Sequence, residues 1–123
     1  MSTMKITKDD IPILYSIPKS GSNLAGILRT FTYLMRAPYP PYALFIDCFN
    51  KSYQAGLLDV KDDSFRLKDE VHKLIHACEI DELDSHQLVG NEFPIVREPL
   101  IPFDEVEYGG AIKAAWNRKH VTG

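Results

Sequence analysis

The chain has 123 residues, 45% of them hydrophobic and 25% charged, with a formal net charge of −3. Those proportions are those of a single globular domain with its own core, and not of a disordered or membrane chain. No apolar run approaches the ~18 residues of a membrane span, and MSTMKITKDDIP lacks the apolar stretch of a signal peptide, so no membrane contact and a cytoplasmic location are expected.

In chain order, Asp9 and Asp10 stand ready to cap a first helix over IPILYSI, with Pro12 in its opening turn and Pro18 at its end. SGSN then predicts a turn and an N-cap at Ser20 or Ser22. Leu24, Ile27, Leu28, Phe31, Leu34 and Met35 follow at helical spacing. APYPP stops that second helix, because clustered prolines remove backbone donors. A third helix opens at Pro40 and Pro41, with Tyr42, Phe45, Ile46, Phe49 and Tyr53 as its inner stripe. Gly56 sits where a left-handed helix end belongs.

Residues 57–61 and 64–68 alternate as a β-hairpin with Asp62 and Asp63 at the turn. Asp69 is expected to cap a fourth helix whose inner face is Val71, Leu74, Ile75 and Cys78. IDELDSHQLVGNE extends that helix briefly until Gly90. FPIVREPLIPF carries three prolines, so it is expected to run extended along the surface and not as a central strand. Asp104 and Glu107 form a capping-box pair for the last helix, with Phe103 and Tyr108 as a hydrophobic staple. Trp116 is expected to anchor that helix to the core. Gly109 and Gly110 in its second turn cost ~1 kcal/mol each relative to Ala and imply a close backbone contact. Cys48 and Cys78 fall on apolar helix faces, which fits buried free thiols in a reducing compartment better than a disulfide.

The resulting fold class is α+β and mostly helical: a winged-helix-like three-helix core, a two-stranded hairpin wing and an added C-terminal helix. One domain spans 1–123, with the core at 9–78 and a wrapping segment and helix at 79–119.

AGLLDVKDDSFRLKDEV is similar to the helix end, wing and following helix of winged-helix regulators. The wider frame, from IPKSGSNLAGILRTFTYLMRAPYPPYALFIDCFNKSYQAGLL to FDEVEYGGAIKAAW, resembles small stand-alone bacterial winged-helix-like proteins and covers most of residues 11–116. The shared motifs are structural, so the resemblance implies a fold and a bacterial origin and not an activity. The chain departs from DNA-binding relatives in its acidic wing tip and in lacking arginine on the third helix.

Charge divides the chain. Residues 1–75 carry 10 Lys/Arg against 8 Asp/Glu, whereas 76–123 carry 4 against 9. Between Glu79 and Glu107 nine acids face only Arg97. Glu79, Asp81, Glu82, Asp84 and Glu92 therefore form a candidate surface for a basic protein partner, set against the plainer reading of a solvated flank. An immunity or antitoxin protein covering a basic toxin is the most concrete form of the first reading. The alternative is a DNA-binding transcriptional regulator, with dimerisation possible. There Asn50 and Gln54 would read adenine, Lys51 and Arg66 would meet phosphate, and Asp47, Asp59, Asp62 and Asp63 would oppose them.

Catalytic constellations are wanting. His72 and His76 are four residues apart with Glu79 beyond, but they border the solvent side of the helix and lack the HExxH glutamate, so a solvated flank is favoured over a metal site. IPKSGSN precedes a helix without the full phosphate-loop pattern. No catalytic residue, metal or cofactor is expected, and the chain reads as a non-enzyme.

Overall fold

The computed structural model describes residues 2–100 and 102–120, with the side chains of residue 84 and of residues 117–120 outside the described set. The architecture is α+β: β1 (Thr3–Lys5), α1 (Asp10–Tyr15), α2 (Leu24–Met35), α3 (Tyr42–Gln54), β2 (Leu58–Lys61), β3 (Ser64–Leu67), α4 (Asp69–Ile75), a 3-10 turn (Ile80–Ser85), β4 (Glu92–Pro94) and α5 (Glu105–His120).

Helix α1 begins differently from the sequence expectation. Asp9 makes no side-chain cap, and Asp10 turns back to accept from the backbone N–H of Thr7 at 2.8 Å and its hydroxyl at 3.0 Å. Helix α2 is capped by Asn23, whose Oδ1 accepts from the Gly26 N–H at 2.8 Å, and not by Ser20 or Ser22. Ser22 is drawn into extended backbone instead, exchanging two hydrogen bonds with Phe65 of β3 at 3.0 and 2.8 Å. A Cβ at Gly26 would run into the Ser22 hydroxyl, which would have to turn aside.

Helix α3 buries Phe45, Cys48 and Phe49 and ends at Gly56, whose φ of +76° takes the left-handed conformation that suits glycine. The hairpin follows in the expected register, with Leu58 opposite Leu67 and Val60 opposite Phe65. The paired strands are one residue shorter at their outer ends than 57–61 and 64–68, although the Lys68 N–H still reaches the Leu57 carbonyl at 3.1 Å.

Helix α4 stops earlier than expected. Asp69 is its first residue and pairs with Arg66 instead of capping. Val71 and Ile75 are buried, but Leu74 is 44% exposed and Cys78 lies beyond the helix end, half-buried. The residues that follow do not extend α4 and form the separate 3-10 turn.

The proline-marked segment runs along the surface. Its first part, β4, pairs antiparallel with β1, an N-terminal strand without a sequence signal of its own, with Met4 opposite Phe93. Helix α5 then opens as expected on a reciprocal box: the Glu107 N–H donates to Asp104 at 2.7 Å and the Asp104 N–H to Glu107 at 3.1 Å.

Phe103 and Tyr108 are buried in an aromatic cluster with Tyr42, Phe45, Phe49 and Phe65. Two tyrosine hydroxyls, Tyr42 donating to the Phe103 carbonyl and Tyr108 to the Pro40 carbonyl, tie α5 to the entry of α3. Trp116, expected to be the anchor, is 53% exposed. Ala115 is buried in its place, and one residue further turns a helical position by ~100° off that face. Gly109 and Gly110 also correct an expectation: among the described residues, chain neighbours and the helix's own backbone aside, no heavy atom lies within 4 Å of where their Cβ atoms would stand.

Candidate functional site

Two polar surfaces were singled out in sequence, and the fold treats them differently. The first is the outward side of α3. Asn50 Oδ1 accepts from the Leu100 N–H at 3.0 Å. The Gln54 carbonyl accepts from Val96 and Arg97 at 2.8 and 3.0 Å. A strap of residues 95–100 therefore lies along this face. Arg97 fastens it by donating to the Leu58 carbonyl at 3.2 Å, pairing with Asp59 at 2.9 Å and standing 4.9 Å over the Tyr53 ring.

Lys51 faces inward from the same helix. Its side chain is 16% exposed and its ammonium sits 2.5 Å from Asp10, a carboxylate only 1% exposed. It also donates to the Lys5 carbonyl at 3.1 Å and has Asp47 at 3.6 Å. Burial works against its charge, but the hydrogen bond and charge of Asp10, with Asp47, more than offset this and hold the ammonium above its ordinary pKa. Arg66, on the wing, donates to the Lys19 carbonyl at 3.2 Å and pairs with Asp69 at 3.0 Å. A cleft of about 610 Å³ beside the wing mixes Lys61 and Arg66 with Asp59, Asp62 and Asp63, so its charges nearly cancel.

The second surface is the turn after α4. Glu79, Asp81 and Glu82 are all exposed, and no cation pairs with them among the described residues. They surround Cys78: burial first, then the charges of Glu82, Glu79 and Asp81, push its thiol pKa up. A notch of about 260 Å³ lined by Leu74, Ala77, Cys78, Glu82, Ser85, His86 and Gln87 opens here, and Leu74 and, elsewhere on the turn, Ile80 are half-exposed. The Asp84 side chain lies outside the described residues. Glu92 is exposed on β4, opposite Lys5, and its charge does not act on Cys78.

His86, which sequence reasoning missed, builds this turn. It is buried, and its Nδ1 accepts from the Leu88 N–H at 3.0 Å, so Nε2 carries the proton. Nε2 lies 3.2 and 3.1 Å from the Leu74 and Ile75 carbonyls at the end of α4, of which Leu74 also accepts from the Ala77 N–H at 3.3 Å. Only the tertiary path of the chain brings residue 86 back to 74 and 75, so no local spacing announces it.

His72 and His76 stack with ring centres 4.2 Å apart, and His76 stacks on Tyr15 at 4.0 Å. Among the described residues no group of three His, Cys, Asp or Glu side chains is placed to hold a metal ion. Burial and neighbouring positive charge lower both imidazoles below their ordinary pKa, Lys19 acting on His72 and His72 on His76. Among the described residues no helix is long and apolar enough to cross a membrane.

Comparison with protein-family models, curated proteins and solved structures finds no match to this chain.

Proposed function

We propose that the chain is a non-catalytic, cytoplasmic binding protein of winged-helix-like build that recognises a basic protein partner through the acidic turn after α4. In its most concrete form it is a bacterial immunity or antitoxin protein covering a basic toxin. The winged-helix-like part is supported by the order helix, bridge, helix, helix, hairpin, in which Ser22 adds a one-residue third strand beside β3.

The observation that carries the binding reading is the set of exposed carboxylates Glu79, Asp81 and Glu82 beside Cys78, with no ion pair among the described residues and Glu82 lining a mixed polar and apolar notch. Lys or Arg side chains of a partner would lay their stems on Leu74 and Ile80 and bring their charges to the carboxylates. Groove binding to DNA is the weaker reading, because Asn50, Lys51 and the Gln54 carbonyl already serve the chain's own structure.

The test is a pull-down from the native host, with proteins identified by mass spectrometry. Wild type is expected to retain a single basic protein that Asp81→Lys with Glu82→Lys releases. Retention by the charge-reversed variant contradicts the reading. A DNA complex lost on Asn50→Ala with Arg66→Ala moves it to a transcriptional regulator.

A further inference from the structure

One side of α2 carries the opposite chemistry to the acidic turn. Two hollows share Thr32 in their lining, one of about 320 Å³ along α2 and one of about 460 Å³ between the end of α2, residues 37–39 and Trp116 of α5. Arg29, Tyr33, Arg36, Tyr39 and Trp116 border this stretch of surface, the α2–α5 groove, and no acid does among the described residues. Arg29 and Arg36 form no ion pair among the described residues. Tyr33 is 79% exposed, and Trp116 borders the same groove. Arginine beside tyrosine and tryptophan is the residue mixture that protein contacts favour, and a guanidinium takes a carboxylate in a forked pair.

The acidic turn presents the counterpart: Glu79, Asp81 and Glu82 unpaired, with Leu74 and Ile80 half-exposed beside them. Helix α1 packs on α2 and, separately, on α4 and the 3-10 turn, so the two surfaces belong to different parts of the domain. Among the described residues no ion pair joins the acidic turn to the arginines of the groove, so their charges are open to a contact between copies.

We infer that the α2–α5 groove receives the acidic turn of a second copy, so that molecules associate head to tail. The inference rests on the reading of that turn as a recognition surface, and it names a partner for it. Such a contact is heterologous: each copy keeps one free groove and one free turn, and assembly continues with concentration until it is capped. The charges at its edge make it sensitive to salt, and its small extent places it among weak, reversible contacts.

Sedimentation of the purified full chain over a concentration series tests this. The average mass of wild type is expected to rise with concentration at about 0.1 M salt and to return to monomer at about 1 M, where the screening length falls from about 10 Å to about 3 Å. Asp81→Lys with Glu82→Lys, which keeps the groove, and Arg29→Glu with Arg36→Glu, which keeps the turn, are each expected to be monomeric. Mixed in equal amounts they are expected to assemble again, since the reversed turn of one also matches the reversed groove of the other. With Arg29→Gln and Arg36→Gln as the groove variant, which offers no charge to the new lysines, the mixture is expected to stop at a one-to-one dimer. Trp116, the sole tryptophan, gives a second readout through its fluorescence in the mixture.

A wild type that stays monomeric, a variant that still assembles alone, or a mixture that forms no dimer overturns the inference. A monomeric wild type that still retains a basic host protein, released by Asp81→Lys with Glu82→Lys, would leave the proposed function standing without it.

Discussion

On α3 the Asn50 and Lys51 side chains meet other parts of the same chain and the strap bonds the Gln54 backbone carbonyl, whereas in the turn after α4 the carboxylates of Glu79, Asp81 and Glu82 form no ion pair among the described residues. In sequence the two regions look alike: polar side chains on the solvent side of an amphipathic element. The fold separates them by what lies opposite. The strap and the buried Asp10 consume the hydrogen-bonding and charge capacity of α3, while the acidic turn keeps its own. A polar side chain is evidence of recognition only once its internal partners have been counted.

The largest test of this contrast is Lys51→Ala. It leaves the Asp10 carboxylate buried with two Thr7 bonds and no countercharge, which is expected to cost about 3 kcal/mol. Urea unfolding reads it, and a loss under about 1 kcal/mol would return Lys51 to the class of surface cations. Arg97→Ala is expected to cost less, about 1–2 kcal/mol, because its bonds to Leu58 and Asp59 and its stacking on Tyr53 are partly exposed. Its signature is local: faster hydrogen exchange at the Val96, Arg97 and Leu100 amides, with α4 unchanged.

The paired histidines give a smaller, pH-dependent effect. Both lie below their ordinary value of 6.5 in the folded chain, so folding favours their neutral forms. The unfolded chain takes up protons first as pH falls below about 6.5, and stability declines there. The groups facing the pair are Lys19 and Asp69 at His72, and Tyr15 at His76. His72→Gln with His76→Gln is expected to flatten this decline in unfolding experiments between about pH 6.5 and 5; an unchanged slope assigns it to other groups. Smallest of all is Asp81→Lys with Glu82→Lys, expected to leave unfolding stability within about 0.5 kcal/mol of wild type. A larger loss would show that the acidic turn, like α3, is committed to the fold.

Much of the fold was legible because it rests on local signals. Helical apolar spacing placed α2 and α3, Gly56 ended α3, the Asp62–Asp63 turn set the hairpin register, and Asp104 with Glu107 opened α5. The errors lie where distant chain competes with local preference. Ser22 lost the cap to Asn23 because its backbone pairs with Phe65. Helix α4 ends at Ile75, where His86 returns to take its carbonyls. Trp116 has the size of an anchor, but Phe103 and Tyr108 had already fastened α5.

The candidate site was half legible. Charge counting found Glu79, Asp81 and Glu82, but it grouped Glu92 with them, although that residue stands on β4. The side of α3 read as open because the strap that covers it comes from residues 95–100, some forty to fifty positions further along the chain.

Hydrogen exchange of the chain with and without the host protein it retains tests the contrast between the two surfaces most directly. Amides across residues 74–86 are expected to gain protection in the complex, while those of α3 and of Val96, Arg97 and Leu100 stay as they are. Protection gained along α3, or exchange accelerated in the strap as it lifts away, would contradict the assignment and make α3 the recognition surface.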